Sequence, residues 1–322
     1  MSDLDVRPAA RVCGGREEVA AQPVRELLKP RDVPLGESSV VRRLLPTLGR
    51  RMVGAWCFVD HYGPDDISDE PGMQVAPHPH IGLQTVSWLH AGEVLHRDSL
   101  GSAQVVRPRE LGLMTAGRAI AHSEQSPGGH SAILHGAQLW VALPDAHRHT
   151  DPAFEHHAEL PVVTSAGGLS ATVILGELDG AASPGSTFTP IMGADLSLAD
   201  GVDVAVPVEP DFEYAVLTMS GVTEVDGVRL DPGSMLYLGC GRRELPLRAY
   251  GNSALLLLGG EPFEEKLVMW WNFVGRTGDE IAQARREWAE GERFGAVPGY
   301  EGPSIPAPAL PDLPLKPRGR TR

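Results

Sequence analysis

Between residues 25 and 150 apolar and polar positions alternate in short runs: WCFVDHY, LQTVSWL, AQVV, LGLMTAG and AQLWVALP. Gly, Pro, Asp or Ser interrupts them roughly every ten residues, which predicts antiparallel strands of a sandwich or barrel and not alternating β and α units. The segment 145–160, DAHRHTDPAFEHHAEL, breaks the pattern and reads as a connector. The texture then resumes in LSATVILGEL, VDVAVPV, FEYAVLTMSG, VTEVDGVRL, SMLYLG and SALLLLGG. One helix is predicted near the end. Thr277-Gly-Asp-Glu280 fits a capping box, and Ile281, Ala284 and Trp288 follow on one face. After Gly295, seven prolines in 27 residues predict an extended, mobile tail.

These patterns give an all-β chain of two antiparallel barrels with one short C-terminal helix. The expected divisions are a flexible lead-in over 1–24, a first β domain over 25–150, a second over 151–275, a packing helix over 276–295 and a disordered tail over 296–322.

Composition narrows the class. The chain has 322 residues, 42% hydrophobic and 22% charged, as in a globular protein. No apolar run approaches the length of about 18 residues that a membrane span needs, and the N-terminus lacks a secretory pattern. Three cysteines, Cys13, Cys57 and Cys240, are too few and too scattered for a disulfide framework. A cytoplasmic location is the expectation. Net charge of −14 opposes direct nucleic-acid binding. The one basic cluster, Lys316, Arg318, Arg320 and Arg322, reads as a solvated end.

The chemistry concentrates in the first half. All 12 histidines lie between His61 and His157. His78-Pro79-His80 puts two imidazoles at i and i+2, on one face of any strand. His122-Ser123-Glu124 repeats that spacing with a carboxylate. Facing strands would bring together three neutral nitrogens and one oxygen donor, a set that suits Fe(II), Mn(II), Ni(II) or Zn(II) and leaves open positions on a six-coordinate ion. His96-Arg97-Asp98 is a third such pair, read first as a hairpin hydrogen bond and second as a group behind the site. Asp60 and His61 read first as a structural side-chain hydrogen bond and second as a pocket wall. His130 and His135 read as loop and core, the connector residues His147, His149, His156 and His157 as unrelated to metal, and Trp270 and Trp271 as packing. No P-loop, dinucleotide fingerprint or GxSxG elbow is present.

Gly72, five residues, His78-x-His80, three residues, Gln84 and then Gly92 resemble the first cupin motif, G-x5-H-x-H-x3,4-E-x6-G, with one residue too many before Gly92 and Gln84 in place of glutamate. Gln84 is therefore expected to hydrogen-bond behind the ligands. The segments FVDHYGP, HPHIGLQTVSWL, VLHRDSLG, LMTAGRAIAHSE and HGAQLWVALP, with the later EPFEEKLVMWWNFV and EIAQARREW, resemble the signature segments of the pirin family over roughly residues 25 to 295. That resemblance implies a bicupin, two jelly-roll barrels face to face, with one metal in the N-terminal barrel only. Its ligands would be His78, His80, His122 and Glu124. It implies iron first, with Mn, Ni, Zn or Cu as alternatives. It also implies two roles known among pirins. One is cleavage of a flavonol such as quercetin with O2, with Glu124 as the base that takes the flavonol proton; the other is metal-dependent binding to a transcription factor or metabolic enzyme. This chain has HPHIGLQTV where the family often has HPHRGFETV, so its substrate need not be the common one.

Overall fold

The computed structural model describes residues 11–13, 23–35 and 39–320. Their strands pair antiparallel and build two jelly rolls, each a large sheet over a four-stranded one. In the N-terminal domain the large sheet runs, edge to edge, Ala153–His157, Leu111–Thr115, Leu83–Ala91, Ile133–Ala142, Trp56–Asp66, Ser39–Leu45 and Arg31–Leu35. The small sheet runs Gln74–His80, Ile120–Gln125, Val94–Asp98 and Ala103–Val106. The C-terminal domain repeats the plan around a core of Leu, Val and Ala, including Val173, Leu196, Val216, Leu236 and Leu257.

The two large sheets face each other. One buried cluster contains Val86, Trp88, Leu113 and Leu139 from the first domain and Ile174, Leu217, Leu256 and Leu258 from the second. Indole groups pin the contact: Trp56 Nε1 donates to Met192 O at 3.1 Å and Trp88 Nε1 to Asp195 Oδ2 at 2.6 Å. Burial of this apolar seam, at about 25 cal/mol per Å², fixes the domains as one unit.

Two strands cross the expected divisions. Glu26–Leu28 pairs with Met235–Gly239 at the edge of the C-terminal sheet, and Ala153–His157, inside the expected connector, pairs with Leu111–Thr115 in the N-terminal sheet. Each domain thus completes its large sheet with sequence from beyond the boundary at 25 or 151. The expected lead-in lies outside the described residues apart from Pro23, Val24 and the strand Arg11–Cys13, which pairs with Leu267–Trp270.

The helix forms as its cap predicts. Gly278–Ala289 starts at Thr277, whose hydroxyl accepts from Glu280 N–H at 3.2 Å, and Ile281 and Ala284 are buried. The Glu280 carboxylate accepts from Arg276 N–H at 2.8 Å, one residue before the cap.

The tail differs from expectation. It has no helix and little strand, yet it is packed along the protein. Ile305 N–H donates to Pro77 O at 2.8 Å, and Trp288 Nε1 donates to Ile305 O at 2.9 Å. Further on, Arg51 N–H donates to Arg320 O, and Arg320 Nη1 reaches Glu213 Oε2 at 3.0 Å. Arg320 is 4% exposed, so this part of the basic cluster is not solvated. The reason is local. Glu213 is a fully buried carboxylate and needs a cation, while an extended Pro-rich backbone keeps its carbonyls free to accept.

Candidate metal centre

The histidine pairs fall on adjacent strands of the small N-terminal sheet. His78 lies directly opposite His122, with His80 two residues along from His78, and a one-residue bulge follows before Glu124. The next strand over puts His96 opposite Glu124 and Asp98 opposite His122. All six side chains are buried.

One ring nitrogen from each of His78, His80 and His122 lies within 4.8 Å of the others, and the ring centroids are 4.3 to 5.0 Å apart. His78 Nδ1 donates to Ala76 O at 2.9 Å and His80 Nδ1 to Asn272 O at 2.9 Å. A carbonyl only accepts, so these two rings carry their proton on Nδ1 and a lone pair on Nε2. The Nε2 atoms of all three residues are buried without a hydrogen-bond partner. Leaving such an atom unmatched costs about 1–3 kcal/mol each, a cost that coordination removes. Burial pushes His78 down to about 4 and drives His80 and His122 well below the usual histidine value, with neighbouring imidazoles adding to the shift. The rings stay neutral near pH 7, the state a metal needs. The donor set therefore fits a first-row divalent ion.

Glu124 shares this face but lies outside the tight trio. Its Oε1 is 3.2 Å from Ser87 Oγ, which is also 3.0 Å from Gln138 Oε1. One hydroxyl proton cannot serve both acceptors. Turning the Gln138 amide lets its otherwise unpartnered Nε2 donate to Ser87 while Ser87 donates to Glu124. Nearby, Trp140 meets His80 edge-on at 5.1 Å and stacks on Phe58 at 4.0 Å. Arg43 lies over Phe58 at 4.4 Å and forms a buried bidentate pair with Asp60, both contacts at 2.8 Å. The site thus has an aromatic wall.

Gln84 does not stand behind the ligands. It lies on the face of Leu83–Ala91 that carries Val86 and Trp88, turned to the other domain, and its Nε2 donates to Thr115 Oγ1 at 3.0 Å and Ser186 O at 3.1 Å. Asp60 and His61 alternate to opposite faces; His61 Nε2 meets His135 Nε2 at 3.0 Å. The connector histidines do not converge: His156 pairs with Glu110 and His157 with Glu155, while the His147 ring rests against Phe188. His96 belongs to both of its readings, bonded to Asp98 at 3.0 Å and in contact with His122. The carbonyl of Asn272 was not foreseeable. It is presented by a turn in which Trp271 takes a left-handed φ of +52°, unusual for a bulky residue.

The Pirin family model matches residues 38–141, and the model of the Pirin C-terminal cupin domain matches residues 193–295. A Pseudomonas aeruginosa protein provisionally named quercetin 2,3-dioxygenase is 44% identical over 305 residues, covering 94% of this chain and 95% of that protein. The chain belongs to the pirin family. A pirin-like protein of Caulobacter vibrioides is 41% identical over 260 residues, 78% of this chain and 88% of its own. Among solved structures, a quercetin 2,3-dioxygenase from Acinetobacter baumannii superposes with a TM-score of 0.87 at 41% identity, covering 93% of this chain and 100% of that one. As a pirin, the chain is a bicupin whose histidine trio sits in the N-terminal cupin. Among the described residues no second group of three potential ligands gathers in the C-terminal cupin. No described helix is long and apolar enough to cross a membrane.

Proposed function

We propose that this pirin is a mononuclear metal-dependent dioxygenase that opens quercetin or a similar flavonol with O2. The observation that carries this reading is the set of three buried, neutral imidazoles whose unpartnered Nε2 atoms converge beside a carboxylate. The names of the Pseudomonas and Acinetobacter relatives support the substrate class.

His78, His80 and His122 would hold the ion, with Glu124 as the fourth ligand and iron as the first candidate. When bound, the metal would act as a Lewis acid toward the oxygens of the flavonol and supply the redox partner for O2. The other steps belong to the chain. Glu124, held at Oε1 by Ser87, takes the proton of the flavonol hydroxyl and leaves an electron-rich enolate. Trp140, backed by Phe58, keeps the surroundings of His80 apolar and excludes water. O2 then adds to that ring, both its atoms enter the products, and one ring carbon leaves as carbon monoxide.

The test is oxygen uptake by protein loaded with Fe(II) without air and then given quercetin, with Glu124→Ala beside it. Uptake should match quercetin loss and fall by at least 100-fold in the variant, the scale of a lost general base (about 10²–10⁴-fold). No uptake by protein holding one iron per chain would refute the flavonol reading and favour a metal-dependent partner of other proteins.

A further inference from the structure

His78 and His80 rest on backbone carbonyls, and His122 does not. Its Nδ1 faces Nδ1 of His96 at 3.4 Å, and Nε2 of His96 reaches Oδ2 of Asp98 at 3.0 Å. The other oxygen of Asp98 accepts the N–H groups of Leu100 at 2.9 Å and Ser102 at 3.0 Å, so the hairpin turn fixes the carboxylate. The His96 ring lies flat on Phe154, 4.0 Å away and 7° from parallel. Both Asp98 and His96 are almost wholly buried.

With a neutral imidazole at His96, hydrogen bonding along this line has one consistent direction. Asp98 as a carboxylate only accepts, so His96 carries its proton on Nε2 and its lone pair on Nδ1. His122 must then donate from Nδ1, which leaves the lone pair on its Nε2, the atom that converges with those of His78 and His80. We propose that Asp98 and His96 are positioning residues that fix the tautomer of His122 and aim its Nε2 at the metal. The proposal rests on the reading above that His122 is a ligand.

An isosteric change separates this role from packing. In Asp98→Asn the amide oxygen can keep the two turn N–H groups, but its NH2 then faces His96. His96 must accept at Nε2 and donate from Nδ1, and His122 must accept at Nδ1. The proton of His122 moves to Nε2, where the metal should bind. His96→Leu keeps an apolar side chain against Phe154 and removes both nitrogens.

The experiment uses the full chain with Zn(II) alone as the probe. Histidine tautomers are read in metal-free protein by long-range ¹H–¹⁵N correlation, and affinity by calorimetric titration. The expected result is Nδ1–H for His122 in the wild type, Nε2–H in Asp98→Asn, and a loss of zinc affinity of about 10–100-fold in both variants. The thermal midpoint of metal-free Asp98→Asn should match the wild type, so that its loss of zinc and its tautomer switch cannot be ascribed to lost packing. Wild-type His122 in the Nε2–H form, or zinc affinity within twofold of wild type in both variants, would overturn the proposal. His122→Ala separates the two levels. If it binds zinc as tightly as wild type, the metal reading itself fails; if it loses zinc while Asp98→Asn does not, the relay alone fails.

Discussion

Removing the positive charge of Arg320 should destabilise the whole protein, although the residue is among the last few of the chain. Its guanidinium meets Glu213 at 3.0 Å, with side-chain exposures of 5% and 0%. Glu213 also accepts from Gly54 N–H at 2.6 Å and Tyr237 Oη at 2.7 Å. One buried carboxylate therefore joins the N-terminal domain, the C-terminal domain and the tail. Deleting one partner of a buried pair typically costs about 3–5 kcal/mol because the remaining charge is stranded. Glu213 keeps two of its three donors, so Arg320→Met should cost about 3 kcal/mol, the lower end. Glu213→Gln in the same background removes the stranded charge, and the double variant should recover part of that loss. Urea unfolding of the four proteins of the cycle measures both effects, read as a shift of midpoint at constant slope. Arg320→Met within about 0.5 kcal/mol of wild type, the size of an exposed pair, would mean that the tail end is hydrated in solution and ties nothing together.

Two further outcomes follow from burial. Burial holds His61 down at about 3 and His135 at about 4, with Arg42 and neighbouring histidines adding to the effect, so neither ring protonates in the folded state near pH 5. Unfolded histidines take up protons below about pH 6.5, so stability should fall as pH drops from about 6.5 toward 4, by about 1.4 kcal/mol per pH unit for each ring; a flat profile in urea titrations across that window would count against it. Gln84→Glu, which restores the glutamate of the cupin motif, should leave metal affinity unchanged and cost about 2–3 kcal/mol, because a carboxylate cannot donate to Ser186 O and would be buried against it. A gain in zinc affinity measured by calorimetry would show that position 84 reaches the metal.

What the sequence discloses here depends on whether an argument stays inside one strand. His78 with His80, and His122 with Glu124, are i and i+2 within single strands, so alternation alone puts each pair on one face. The helix cap is equally local, carried by Thr277 and Glu280. Gln84 fails for the same reason that these succeed. Counting from His80 to Gln84 passes Gly82, where φ is +69° and an added Cβ would lie 2.1 Å from Val274 O. There the chain leaves the small sheet for the large one, and the parity of alternation is reset, so motif spacing does not carry over which way the side chain points. Asn272 and Ile305 illustrate a different limit. Both act through backbone groups, one accepting from His80 and the other donating to Pro77, and a backbone amide looks the same in every residue type but proline. The exchange of edge strands has this origin too: Glu26–Leu28 can pair with any open edge, and it is the fold that leaves Met235–Gly239 open beside it. The pattern of side chains thus specifies the histidine trio, whereas the carbonyls beneath it are supplied by topology, and the line through His96 lies between the two: its His-x-Asp spacing is visible in the sequence, and its direction toward His122 comes from strand register.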